Sequence, residues 1–204
     1  MNLTLLASLL PLLAGAIPTS SSTPPPAPST APPGYPPGPF TVLSARSASP
    51  VHLYPMQASN QHFFLGGRPN TYCPLELPEM CPRTNSTVIE GLAELSVVVA
   101  GGQHLYVEPS GALGFAHPDY PEKPAGSVET GFTYTPGTEH GKFGFHGLGA
   151  DGFMACPGHE NGLYQVFAAM WHAEVPTGNI DDCLGFVAMA IPYEGETPAA
   201  WQYV

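Results

Sequence analysis

Eight histidines, sixteen carboxylates and four cysteines are the side chains here with chemistry to offer. A metal site needs histidines and carboxylates at ligand spacing. His140, His146 and His159 fall in one region with Glu139, and His172 follows later. None belongs to an HExxH motif, and no two histidines stand four residues apart. They are expected to be surface or hydrogen-bonded residues. Serine catalysis on an α/β-hydrolase sheet needs G-x-S-x-G, which is absent. Ser110, within Glu108-Pro109-Ser110-Gly111, reads as a turn residue. Glycosidases need two carboxylates facing each other across a cleft. Glu94 and Glu108 flank a central hairpin and read as solvated turn or edge carboxylates. No glycine loop precedes a helix to cradle phosphate. Tyr54, Tyr106, Tyr164, Trp171 and Trp201 have rings that can stack on sugars, but most alternate within strands and read as core. No catalytic, cofactor-binding or metal-ligating residue is therefore assigned.

The cysteines point elsewhere. An even count in a secreted chain argues for disulfides. Three pairings of Cys73, Cys81, Cys156 and Cys183 are open. The sequence-near pairs, Cys73–Cys81 and Cys156–Cys183, are expected because they close two separate loops. Neither pair has the spacing of a zinc knuckle. With all four claimed, no thiol is left as a nucleophile. Asn85-Ser86-Thr87 is an N-glycosylation sequon just past Cys81, so Asn85 is expected on an exposed loop. Asn2-Leu3-Thr4 also matches but leaves with the signal peptide.

The elements that must position these residues follow from composition. Of 204 residues, 26 are proline and 23 glycine, a density that excludes a helical bundle. The formal net charge of -11 repels nucleic acid phosphates and anionic membrane surfaces. Residues 1–16 read as a secretory signal peptide: an apolar run, then Ala14-Gly15-Ala16 for cleavage. No later stretch is long enough to span a membrane. Residues 17–40 are rich in Pro, Ser and Thr without one charged side chain, which predicts a disordered, PPII-like stalk open to O-glycosylation.

Residues 41–204 form one candidate domain, large enough for a real core. Strand signals run through it: 95–99, then Gly101-Gly102, then 104–107, as a hairpin; 153–156; and the apolar segments 163–171 and 184–191. The one fair helix is 88–95, weakened by Gly91. Three strand–turn–strand segments at 51–67, 104–115 and 143–155 lie about 40–50 residues apart. The expected fold is all-β: a compact disulfide-stapled barrel with a trefoil as its threefold form, or alternatively a β-sandwich.

Several short motifs occur in order along this domain. They are Ser49-Pro50-Val51-His52-Leu53, Asn60-Gln61-His62-Phe63-Phe64-Leu65-Gly66-Gly67, Tyr72-Cys73-Pro74 with Cys81-Pro82, and the sequon. Next come Gly101-Gly102-Gln103-His104-Leu105-Tyr106-Val107, Gly111-Ala112-Leu113-Gly114-Phe115, Ala155-Cys156-Pro157, Cys183-Leu184-Gly185-Phe186 and Ala200-Trp201-Gln202-Tyr203. In these the chain resembles a group of secreted filamentous-fungal surface proteins, the IgE-binding proteins and the PhiA-like cell wall proteins. The resemblance covers about 40–204. It implies a non-enzymatic cell-wall or surface role and supplies no catalytic residues. The leading expectation is a secreted structural protein of the cell wall or surface, with wall glycans or wall proteins as partners, no nucleic acid and no cofactor. The alternative is a module binding wall glycans. A third reading is a secreted hydrolase.

Overall fold

The computed structural model describes residues 34–120, 122–158 and 162–204. The expected signal peptide lies outside the described residues, as does the stalk up to residue 33. Among the described residues, fifteen strands follow one another. The first eight are β1 (Phe40–Ala45), β2 (Met56–Ser59), β3 (His62–Leu65), β4 (Thr71–Tyr72), β5 (Ile89–Glu90), β6 (Glu94–Leu95), β7 (Leu105–Val107) and β8 (Leu113–Phe115). The rest are β9 (Phe132–Thr135), β10 (Gly141–Gly147), β11 (Ala150–Asp151), β12 (Phe153–Pro157), β13 (Tyr164–Ala168), β14 (Leu184–Pro192) and β15 (Gln202–Tyr203). Two single turns of 3-10 helix, Pro78–Met80 and Ile180–Asp182, complete the elements among the described residues. The protein is all-β, and no described helix is long and apolar enough to cross a membrane.

The long strand β14 organises the sheet. Its residues Val187 to Pro192 pair antiparallel with Ala45 to Phe40 of β1. Ala188, Met189 and Ala190 pair with β10 on the opposite edge, and Leu184 to Phe186 pair with β12. The path then runs β12–β13–β3–β8–β7 on one side and β1–β5–β6 on the other. Its two ends meet at a single bridge, Glu94 with His104, framed by Leu95 N–H to Gln103 C=O at 2.9 Å and Leu105 N–H to Ala93 C=O at 2.8 Å. The regular ladders are therefore open, not closed into a barrel by continuous pairing. The three anticipated hairpins form as β2–β3, β7–β8 and β10–β11. They do not repeat threefold: β3 meets β8, whereas β10 sits between β9 and β14.

Two local expectations are corrected. Residues 88–95 are a hairpin and not a helix, with Ile89 opposite Leu95. Gly91 sits at φ +57°, a left-handed turn geometry that ends any helix. The β-branched run at 97–99 turns away from its anticipated hairpin partner. Val97 bridges Ala200 in parallel, and Val98 and Val99 N–H donate to Ala200 and Trp201 C=O. That diversion is why closure between β6 and β7 is limited to one bridge.

Alternation sets the core. On β1, Phe40, Val42 and Ser44 point in; on β10, Gly141, Phe143 and Phe145 do. Phe132 stacks on Phe143 at 5.8 Å, and Phe143 continues to Phe40 and Phe153. Phe40, the last residue of the anticipated stalk, is only 2% exposed, and Pro39 C=O accepts from Tyr193 N–H at 2.9 Å.

Most buried polar side chains are paired, as burial demands, with the Ser127 hydroxyl left without a partner. Gln103 donates to Ala116 and Tyr203 C=O at 3.0 and 2.9 Å and accepts from Tyr203 N–H at 2.7 Å, so its amide substitutes for a strand edge. The Tyr203 hydroxyl donates to Ser86 C=O at 3.0 Å and accepts from Val88 N–H at 3.2 Å. Burial pushes the Tyr203 phenol well above the usual range, outweighing the Val88 N–H that favours phenolate. Burial, then the nearby Glu108 carboxylate, also raises Tyr106. Both phenols hold their protons more strongly in the folded state than in the unfolded chain, which ionises near pH 10. Their contribution is complete below about pH 10 and is lost as pH rises through the folded values. Urea midpoints should fall between pH 8 and pH 10.5, and less so in Tyr203→Phe. Equal wild-type midpoints at the two pH values would contradict this.

Candidate functional site

Three places bring reactive or exposed side chains together. The first is the turn of the β7–β8 hairpin. Glu108 N–H donates to Ala112 C=O at 3.0 Å, and Gly111 N–H to Glu108 C=O at 2.8 Å. Within it, the Ser110 hydroxyl donates to Glu108 Oε2 at 3.0 Å and accepts from Ala112 N–H at 3.3 Å. Pairing of β3 with β8 brings His62 alongside, with Nε2 3.0 Å from Glu108 Oε1. Its Nδ1 is 3.0 Å from Asn60 C=O. Both ring nitrogens face acceptors, so only the doubly protonated ring makes both bonds. Glutamate thus stands between serine and histidine. A catalytic triad needs the base between nucleophile and carboxylate, so the serine proton can pass to it. Here the serine proton is held by the carboxylate. The cluster pins the turn to β3.

The second place is the outer face of β9 and β10. Their register sets Lys142 opposite Thr135 and Gly144 opposite Thr133. These residues and His146 alternate with the inward Phe132, Tyr134, Phe143 and Phe145, so they share one outward face. His146 Nδ1 lies 3.1 Å from Asp151 Oδ1 across the β10–β11 hairpin. Val187 of β14 completes the far wall of a groove of about 280 Å³. Among the described residues, Lys142 Nζ and the hydroxyls of Thr133 and Thr135 have no partner within the protein.

The third is a loop seated on the β7–β8 turn, where Ala168 N–H reaches Gly111 C=O and Glu174 N–H reaches Ser110 C=O, both at 2.8 Å. It lifts Trp171 to 83% exposure, with His172 edge-on at 4.9 Å. Of the other aromatics singled out in the sequence, Tyr106 is buried, Tyr164 and Trp201 are half-buried and Tyr54 is barely exposed. They form no row with Trp171.

The remaining residues scatter. Glu94 faces His104 at 3.8 Å, both exposed. Glu139 and His140 join no cluster, and His159 lies outside the described residues. No three His, Cys, Asp or Glu among the described residues are placed to hold a metal. The disulfides join Cys73 to Cys81 and Cys156 to Cys183. Asn85 is exposed, while the Thr87 hydroxyl of its sequon is buried and accepts from Ala58 N–H at 2.7 Å. Sequence reasoning missed Thr133, Thr135, Lys142 and Val187. The alternation of polar and aromatic residues at 132–135 and 141–146 marks an outward face, but only the pairing of those strands assembles it.

No solved structure matches the chain. An uncharacterized secreted protein of Arthroderma benhamiae is 49% identical over 154 residues, 75% of this chain and 79% of that one. The family model described as PhiA-like secreted protein matches residues 40–204, which is the whole strand assembly from β1 to β15. The chain is secreted and belongs to the PhiA-like secreted protein family.

Proposed function

We propose that the protein is a non-catalytic structural component of the cell surface, retained at the wall. The observation that carries this reading is the order of the His62–Glu108–Ser110 cluster, the most closely bonded set of catalytic residue types described. Its bonds are spent on fixing a turn. Two disulfides and a net charge of -11 suit a durable, soluble extracellular part. Immunodetection in medium, wall and cytosolic fractions tests the location, with the wall fraction expected to hold the protein. A cytosolic pool alone would sink the proposal. Activity screens on polysaccharides, esters and peptides should stay blank. Turnover that disappears in Glu108→Gln would overturn the non-catalytic part.

A second reading is that retention works by binding wall glycan, and the exposure of Trp171 favours it. Sugars stack on such rings through their C–H faces. Pull-down on insoluble chitin and β-glucan tests it against a protein that does not bind either.

Asn85 is also proposed to carry an N-glycan, on the strength of its exposure. Endoglycosidase treatment should lower the mass of the secreted protein, and Asn85→Gln should abolish that shift. An unchanged mass in the wild type would refute it.

A further inference from the structure

We propose that the outward groove on β9, β10 and β14 is a binding site for a neutral glycan. This rests on the glycan-binding reading above and gives it a place other than Trp171.

The groove supplies what a sugar ring asks for. Each ring offers hydroxyls that both donate and accept, next to an apolar C–H face. Opposite them stand the Thr133 and Thr135 hydroxyls and the Lys142 ammonium, none with a protein partner. His146 is held by Asp151 through Nδ1, which leaves Nε2 free for a ligand. The exposed Val187 side chain provides the apolar patch. A Cβ on residue 144 would lie 2.9 Å from Thr133 Oγ1, so glycine there keeps the hydroxyl uncovered and the backbone approachable.

Charge selects the class of ligand. Lys142 and Asp151 offset each other within the groove, and the chain as a whole carries -11. A polyanion meets no net attraction there and long-range repulsion outside it. A neutral polyhydroxylated chain meets neither. The volume is just under the roughly 300–1,000 Å³ of clefts and cavities that take a whole small ligand, which suits one or two rings of a longer polymer. The contacts sit on paired strands over a packed aromatic layer, so little ordering is needed on binding.

Calorimetry on the full secreted protein tests this with laminarihexaose, chitohexaose and, as the anionic arm, an oligogalacturonate. One of the neutral hexaoses is expected to bind and the oligogalacturonate is not. The double variant Lys142→Ala/Thr135→Ala changes exposed side chains and should bind at least about fivefold more weakly. Val187→Glu should lose binding by filling the groove. Tyr120→Ala, an exposed aromatic elsewhere, should bind as the wild type does. Melting curves check that each variant is folded, and the double variant decides if Val187→Glu is not. If both groove variants bind normally and Trp171→Ala does not, the groove is wrong and glycan binding stands. If neither neutral hexaose binds, both fail. Binding of the oligogalacturonate alone would refute a neutral ligand.

Discussion

Replacing Cys156 and Cys183 together by alanine should destabilise the protein by about 3.5 kcal/mol, the entropy returned to the unfolded chain when a loop of this length is released. The bond closes a separation of 27 residues. It adjoins the Ala155–Leu184 pair, so it locks β12 to the start of β14 where the ladder already holds them. Cys156 is also fully buried beside Met154 and Phe167, and truncation there leaves a small void. The melting temperature should fall by roughly 10 °C for a chain of this size. The Cys73–Cys81 bond closes a separation of only 8 residues. Loop entropy gives it about 2.5 kcal/mol, and Pro74 and Pro78 inside the loop already restrict the unfolded chain. Intact mass with and without alkylation, then calorimetric melts of the two paired variants, checks both. A larger loss on removing Cys73 and Cys81 would reverse the ranking.

Gln103→Ala should cost about 3 kcal/mol. The side chain makes three hydrogen bonds to backbone groups at a buried site. Truncation leaves Tyr203 N–H, Tyr203 C=O and Ala116 C=O without those bonds, and each buried group stranded this way costs about 1–3 kcal/mol before relaxation. Gln103→Glu keeps the shape but turns a carboxylate toward two carbonyl oxygens, so it should be worse. Urea unfolding with hydrogen exchange around residue 203 is the measurement. A loss below 1 kcal/mol, with unchanged protection at 203, would mean that water replaces the amide.

Much of the architecture was readable before the fold. The apolar stretches at 153–156, 163–171 and 184–191 correspond to β12, β13 and β14, but β14 alternates inward and outward residues instead of lying buried on both faces. The sequence-near cysteines paired. What failed was partner choice. Residues 95–107 looked like a self-contained hairpin, yet 97–99 pair with residues 200–201, more than 100 positions away. Local propensity holds no information about such a distant edge. Gly91 weakens a helix on composition alone, whereas its positive φ makes the turn of a hairpin. The groove illustrates the same limit. Thr133, Thr135, Lys142 and His146 are ordinary outward residues in their own strands, and they become a surface only in register.

The placement of β14 and β15 also sets a timetable. β1 is made early, but its main partner follows some 150 residues later, and the Tyr203 hydroxyl that fastens Ser86 and Val88 comes later still. At about 5–20 residues per second, a ribosome leaves β1 waiting roughly 7–30 s for β14. A chain exported as it is made enters the secretory route with β1 held only by residues 53–55 and 89, and with the sequon at Asn85 still on open polypeptide. The burial of Thr87 in the finished protein is then no obstacle to an enzyme that works on the emerging chain. The same delay asks lumenal chaperones to cover the apolar residues of β1 until β14 arrives.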